Sequence, residues 1–306
     1  MTNPGTFVTL LPAIFTTAVV VALLMYLHYT ILLMRRMHTI EELAKEIDSR
    51  ISQSLEPIDM ARTPKEIHPI INALNRLIAY EEDRYSQERD FTANASHELR
   101  TPLAGIRLQT QIAMRTPDKK QQDKAHKNII KAIDRATHLV EQLLTLSRLT
   151  ADRIALRTDI FNAERVVSKV VSELSSMAKE KKIALTSHKD KNSMMHGNSE
   201  TIAILIHNLI RNAIIYTPQG GKVHVTIMPE DTHILLMIAD NGPGISPEKR
   251  ENIMQRFKKA DTGTKTGTGL GLAIVKRVAD LHNTKVELGT SDGGQGLTVS
   301  IRFQKA

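Results

Sequence analysis

Phe91-Thr92-Ala93-Asn94-Ala95-Ser96-His97-Glu98-Leu99-Arg100-Thr101-Pro102-Leu103 is the stretch on which the reading of this chain turns. Phe91, Ala95, Leu99, Leu103 and Ile106 recur at helical spacing and form one apolar face. His97 lies two residues from both Ala95 and Leu99, about 200° from that stripe at ~100° per residue, so its imidazole faces solvent. Such a histidine is ordinarily a plain surface residue. Three neighbours alter that weighting. Glu98 puts a carboxylate beside the ring, and Thr101 shares the histidine's face one turn on. Pro102 lacks the amide that would bond the carbonyl of Glu98, which bends a helix just beyond His97.

Outward from this stretch, Thr116-Pro117-Asp118 marks a turn and a second helical pattern follows. Ile129, Ile133, Ala136, Val140, Leu143 and Ser147 alternate steps of four and three, a heptad seam. A two-helix hairpin cannot bury both faces alone, so a dimeric antiparallel four-helix bundle is expected. Between Arg100 and Arg148 there are ten Lys/Arg against four Asp/Glu, a net of +6. That excess is either a solvated face or a surface that steers an acidic partner.

After Arg153 the pattern changes to short strands alternating with helices, an α+β domain. Lys182–Ser187, Lys222–Met228, His233–Asp240 and Leu297–Phe303 read as strands, and Ala163–Lys181, Ser199–Ile215 and Gly271–His282 as helices. Asn208 and Asn212 share one face of the second helix, opposite Ile202, Leu205, Ile206, Leu209 and Ala213. Paired amides there suit a divalent ion with phosphate oxygens, or are simply satisfied by backbone. Asp240-Asn241-Gly242-Pro243-Gly244 ends a strand. A carboxylate at that point accepts from adenine's exocyclic amine and repels guanine's carbonyl. Gly267-Thr268-Gly269-Leu270-Gly271-Leu272 opens a helix whose free N–H groups favour phosphate. No Gly-Lys-Ser/Thr follows, which excludes a Walker-type loop.

Two resemblances attach to these residues. The Phe91–Leu103 stretch resembles the phospho-acceptor box of bacterial two-component sensor histidine kinases, nearest the quorum-sensing and polymyxin-resistance kinases of the membrane. Asn208-Leu209-Ile210-Arg211-Asn212-Ala213, then Asp240-x-Gly-x-Gly, then Gly267-x-Gly-x-Gly resemble the N, G1 and G2 boxes of the GHKL (Bergerat-fold) ATPases. Ile253-Met254-Gln255-Arg256-Phe257 is similar to a degraded F box. The resemblance implies a kinase that uses ATP and Mg2+, with His97 as phospho-acceptor, Glu98 as its base and Thr101 positioning water for dephosphorylation. It implies Asn212 as the magnesium ligand and Asp240 as the adenine reader. Asn208, Tyr216, Gly242, Gly244, Gly267, Gly269 and Gly271 would line the nucleotide. The implied partners are a second copy of the chain and the receiver domain of a separate response regulator, with room for a separate sensory membrane protein. Ile215 departs from the family, which places Lys, Arg or His near the phosphates.

Toward the other end, Met1 to Met34 holds no Asp, Glu, Lys or Arg, and the apolar run from Phe7 to Leu33 exceeds the ~20 residues that cross a bilayer. Arg35 and Arg36 follow, placing the remainder in the cytoplasm and the N-terminus outside. His28, beside Tyr26 and Tyr29, reads as an interfacial residue. Arg36–Ser49, a Pro57/Pro64 connector and a second pattern from Ile67 to Ile78 resemble a HAMP relay, with a plain helical linker as the alternative. The expected plan is a tail over 1–6, a transmembrane helix over 7–34, a HAMP-like relay over 35–82, a dimerisation and phosphotransfer hairpin over 83–153 and an ATP-binding domain over 154–306. A single pass through a bacterial inner membrane with no folded external domain is the corresponding topology.

Composition prunes the alternatives. With no Cys among 306 residues, disulfides, thiolate zinc sites and cysteine nucleophiles are excluded. No Trp and only 4% aromatics argue against a stacking platform for nucleic acid, despite the net charge of +8. The rival reading in another class is a non-catalytic ATP-binding scaffold at the membrane.

Overall fold

The computed structural model describes residues 4–50, 56–60, 65–151, 157–190, 193–259, 267–291 and 294–306. They form two units, 1–90 and 91–306. Pro64 of the expected connector and the expected change of pattern at Arg153 lie outside the described residues.

In the first unit, α1 runs from Pro4 to Arg50. Within it Phe15–Arg35, 21 residues, is long and apolar enough to cross a membrane, and its large apolar side chains are exposed. The expected separate helix over Arg36–Ser49 is instead the continuation of this one. Nothing from Met34 to Arg50 is Gly or Pro, so no residue interrupts the hydrogen-bond ladder. Residues 56–59 are non-helical and carry Pro57. There Ile58 is buried, and its backbone is paired from both sides by one amide. Its N–H donates to Asn75 Oδ1 (2.8 Å) and its carbonyl accepts from Asn75 Nδ2 (3.0 Å).

A short 3-10 turn, Lys65–Ile67, leads into α2, His68–Arg115. The second relay pattern and the first arm of the hairpin are therefore a single helix of 48 residues, with no helix end between 82 and 83. Residues 79–90 lack Gly and Pro and add short-range pairs: Arg84 to Glu81 at 3.2 Å and Gln87 to Asp83 at 2.7 Å. The helix also passes through Pro102.

The expected turn stands at Thr116-Pro117-Asp118, where the Asp118 carboxylate accepts from Lys120 N–H (2.9 Å) and starts α3, Lys119–Ala151. The expected seam on α3 is divided. Ile129, Ala136 and Leu143 are half-buried, whereas Ile133, Val140 and Ser147 are exposed. Leu139 and Leu146, one position away, and Leu149 are buried in the core that the C-terminal elements share. Apolar residues on α3 thus make two stripes, one packed on the later helix Gly271–Leu281 and one open through Ile130, Ile133, Val140 and Leu144.

The C-terminal part is α+β. A five-stranded mixed sheet runs β2 (Ala184–Lys189), β4 (Lys222–Pro229), β5 (His233–Asp240), β7 (Leu297–Gln304), β6 (Val286–Thr290). Only β2 with β4 is parallel. Val223, Val225 and Ile227 are buried while Lys222 and His224 are exposed, the alternation of a sheet covered on one face. The covering helices are α4 (Ala163–Glu180), α5 (Ser199–Tyr216) and α7 (Gly271–Leu281). All four expected strands and all three expected helices are present within two residues at each end. Three further strands were not anticipated: β6, and the antiparallel pair β1 (Asp159–Asn162) and β3 (Met194–Gly197). Between β5 and α7 lie a four-residue helix, α6 (Pro247–Arg250), and a 3-10 turn, Asn252–Met254.

Candidate functional site

The helix α5 is held at its start by Asn198, whose side chain accepts from Thr201 N–H at 2.9 Å. Its apolar face, Ile202, Leu205, Ile206, Leu209 and Ala213, is buried as expected. That burial turns Asn212 and Tyr216 toward a cavity of about 490 Å³, within the size range of small-molecule sites. Asp240 reaches the same cavity from the end of β5, and Gly267, Gly269 and Gly271 reach it from the start of α7. A Cβ on Gly271 would stand 2.9 Å from Asn212 Nδ2, so glycine is what lets the helix start and the amide meet.

Asp240 is 9% exposed and is oriented by backbone. Its Oδ1 accepts from Gly242 N–H (2.8 Å) and from Leu297 N–H (3.3 Å). Among the described residues nothing donates to Oδ2, which leaves an acceptor for an exocyclic amine. Burial raises the carboxyl pKa, and the two backbone donors oppose that shift. Gly244 also lines the cavity, at φ +70, and Gly296, at φ +102, crosses beside it against the carbonyl of Asp240. Side chains at either glycine would collide with the other loop. Tyr216 sets its phenol beside Gly267, and burial raises its pKa.

Asn208 does not line this cavity. It is 7% exposed; its Nδ2 donates to Ile204 O (2.8 Å) and its Oδ1 accepts from Gln142 Nε2 (3.2 Å) on α3. The other end of the same glutamine accepts from Thr268 Oγ1 at 2.6 Å.

On the hairpin side Glu98, Thr101 and Gly105 border the cavity, while His97 is exposed just outside it. Glu98 and Lys259 form an ion pair at 2.7 Å, each about one third exposed (34% and 36%). Thr101 Oγ1 donates to His97 O at 3.3 Å, one turn back. Phe257, in the degraded F box, has φ +61 and donates its N–H to Gly269 O at 2.9 Å. Its ring lies 5.8 Å from that of Phe91, over which Arg256 also sits at 5.2 Å.

Comparison with known proteins agrees with this geometry. Residues 87–152 match the His Kinase A (phospho-acceptor) domain, and residues 197–306 match the histidine kinase-, DNA gyrase B- and HSP90-like ATPase family. The sensor protein kinase PmrB of Pseudomonas aeruginosa is 34% identical over 272 residues, covering 89% of this chain and 57% of that protein. This chain thus spans well under two thirds of that relative's length. The structure of the Acinetobacter baumannii histidine kinase AdeS covers 68% of this chain and 97% of that one, at 25% identity and a TM-score of 0.54. The sensor protein BasS of Salmonella typhimurium is 30% identical over 268 residues, and the match takes in 73% of its length. The chain belongs to the sensor histidine kinase family.

The regions that match the phospho-acceptor and ATPase domains meet through polar side chains that sequence reasoning did not single out. Gln142 is one. Another contact joins His138 on α3 to Arg211 on α5, with Nη1 of the arginine against Nε2 of the ring. Burial, Arg211 and then His207 lower the pKa of His138 to about 4, so the ring is neutral near pH 7. Arg277 on α7 donates to Leu149 O at 3.0 Å. Spacing offered no sign of Lys259 or Gly296; the one available signal for Gln142 was a polar residue on the apolar stripe Leu139, Leu146, Leu149.

Proposed function

We propose that the chain phosphorylates its own His97 from Mg-ATP and passes the phosphoryl group to an aspartate on the receiver domain of a separate response regulator. One observation carries this reading: Asn212, Asp240 and the glycines of α7 open on the same cavity as Glu98 and Thr101, which flank His97 in its helix. On this reading Asp240 Oδ2 accepts from the adenine amine, and the first N–H groups of α7 hold phosphate. Asn212 offers an amide oxygen, a donor of the kind magnesium takes; the ion would keep water and phosphate oxygens as its other ligands and neutralise charge on the phosphates. An imidazole attacks through a ring nitrogen that carries no proton, which suits His97 as the phospho-acceptor. One ring nitrogen forms the N–P bond as the bond to the departing ADP oxygen breaks, and Glu98 holds the proton on the other nitrogen. Glu98 is paired with Lys259 and His97 stands outside the cavity, so transfer requires the ATPase part to shift along the hairpin.

The rest of the reading follows the same residues. The exposed stripe Ile130, Ile133, Val140, Leu144 on α3 is covered by a second copy in a homodimer. Phe15–Arg35 spans the inner membrane with the N-terminus outside, after Arg35 and Arg36. Residues 35–82 relay, 83–153 accept phosphate and 154–306 bind ATP, and a separate membrane protein would supply the stimulus. Thr101 positions water for dephosphorylation of the regulator.

Labelled ATP supplied to the full chain in detergent tests the kinase step. Wild type should acquire acid-labile label and His97→Gln none, with nucleotide binding within about twofold of wild type. Undiminished acid-labile label on His97→Gln would refute the acceptor assignment. Nucleotide binding by a wild type that never labels would instead mark a non-catalytic scaffold.

A further inference from the structure

We propose that Gln142 is a positioning residue of the nucleotide site, supplied by the hairpin, so that ATP is held more tightly while α3 is docked on α5 and α7. The inference rests on reading the cavity as that site. Gln142 is 5% exposed on a helix face whose neighbours are Leu139, Leu146 and Leu149. An amide buried there without partners would cost free energy, and a leucine would pack as well as its neighbours do. Packing therefore does not explain the glutamine, but its bonds do.

Both ends of the side chain are used on residues of the nucleotide boxes. Nε2 donates to Asn208 Oδ1 (3.2 Å), and Oε1 accepts from Thr268 Oγ1 (2.6 Å). Asn208 is then fixed from two sides, since its Nδ2 donates to Ile204 O (2.8 Å), one turn before Asn212. Thr268 sits between Gly267 and Gly269, both at the cavity, with Gly269 at φ +75. Holding the threonine holds the loop that delivers the first N–H groups of α7. The cavity is open, at about 490 Å³, while both bonds are made, so the glutamine arranges the site rather than blocking it. Arranging donors before the ligand arrives lowers the entropy lost on binding. By reciprocity, bound nucleotide strengthens the docking of α3 in the same proportion.

The full chain in detergent, a non-hydrolysable ATP analogue with magnesium, and calorimetry provide the test, alongside His97 labelling rates against ATP concentration. Gln142→Leu should weaken the analogue about tenfold and raise KM alike, with kcat at saturating ATP within about twofold. Gln142→Glu keeps an acceptor for Thr268 but sets a carboxylate oxygen against Asn208 Oδ1, and should also weaken binding. Combined with Thr268→Val, Gln142→Leu should cost no more than the larger single loss. Equal affinity in wild type and Gln142→Leu, or a lower kcat with KM unchanged, overturns the proposal. So does full additivity with Thr268→Val. Where Gln142→Leu does not fold, unchanged affinity in Gln142→Glu overturns it instead. Wild type that fails to bind the analogue defeats the nucleotide reading itself, and Asn212→Ala with lost affinity beside an unaffected Gln142→Leu defeats only this inference.

Discussion

At the scale of single residues the site depends on where acceptors are left open. Both backbone donors to Asp240 fall on Oδ1, and Asp240 lines the cavity. Asp240→Asn keeps an oxygen for Gly242 and Leu297 but places an amide donor where adenine's amine would donate. ATP affinity should drop by about ten- to a hundredfold, the range for a lost hydrogen bond to a charged group, while preference over GTP narrows. Burial raises the pKa of Asp240, so removing its charge should leave the melting temperature unchanged or slightly higher. Calorimetry with the two nucleotide analogues decides, and undiminished ATP affinity would remove Asp240 from base recognition. Such residues were legible because their chemistry is local: a carboxylate ends a strand, an amide lies one turn from another, glycines open a helix. Gln142 and Lys259 were not, since their partners stand 126 and 161 residues away. Asn208 was legible as a type, yet its amide is taken up by Gln142, which spacing along α5 cannot reveal.

At the scale of elements, α1 and α2 show what period alone leaves out. Helical patterns were recognised on both sides of residues 35 and 82, but each pair proved continuous because no Gly or Pro separates them. The absence of a breaker is itself a signal, weaker to the eye than a proline. Strands β1, β3 and β6 escaped for the opposite reason: at four, four and five residues they are too short for alternation to stand out. Within α2 the turn from His97 to Pro102 is the one proposed to carry the chemistry. Pro102 leaves the carbonyl of Glu98 without its helical donor, and Thr101 Oγ1 donates to His97 O at 3.3 Å. That bond is long and exposed, so its loss should cost the helix well under ~1 kcal/mol. Thr101→Ala should then retain autophosphorylation and lose regulator dephosphorylation by roughly an order of magnitude, about 1.4 kcal/mol of transition-state stabilisation. The two rates are measured on the same preparation with a receiver domain. A parallel fall in both would make Thr101 a helix-shaping residue.

At the scale of the whole molecule, the hairpin and ATPase parts were expected as separate domains, yet Leu139, Leu146 and Leu149 of α3 share one core with α5 and α7. Separate sequence patterns do not show that two parts will pack. This shared packing should be sensitive to acid. His138 of α3 is pressed against α5, and its pKa of about 4 lies below the unfolded value of 6.5, first through burial, then through Arg211 and His207. His207 is lowered as well, by burial and Arg211, against Glu173 and Glu141, which raise it. His282 accepts from Asn198 N–H at Nε2 (3.1 Å) and meets Val278 O through Nδ1 (2.8 Å), so the neutral Nδ1–H tautomer fits and a proton on Nε2 would oppose the amide. Burial lowers its pKa also. For each ring the unfolded chain takes up protons first as pH falls. The stability they contribute is complete above about pH 6.5 and is lost on acidification, for His138 by about pH 4. Asp240 acts the other way, because its raised pKa means that acid relieves the cost of burying its charge. For His138 the loss is on the order of 3 kcal/mol. Thermal melts of the full chain between pH 8 and pH 4, followed by circular dichroism, should therefore show stability falling below about pH 6.5. His138→Leu puts an apolar side chain in that place and should flatten the decline, leaving the slope due to His207 and His282. An equal decline in wild type and His138→Leu would mean that the contact between α3 and α5 does not sense the proton.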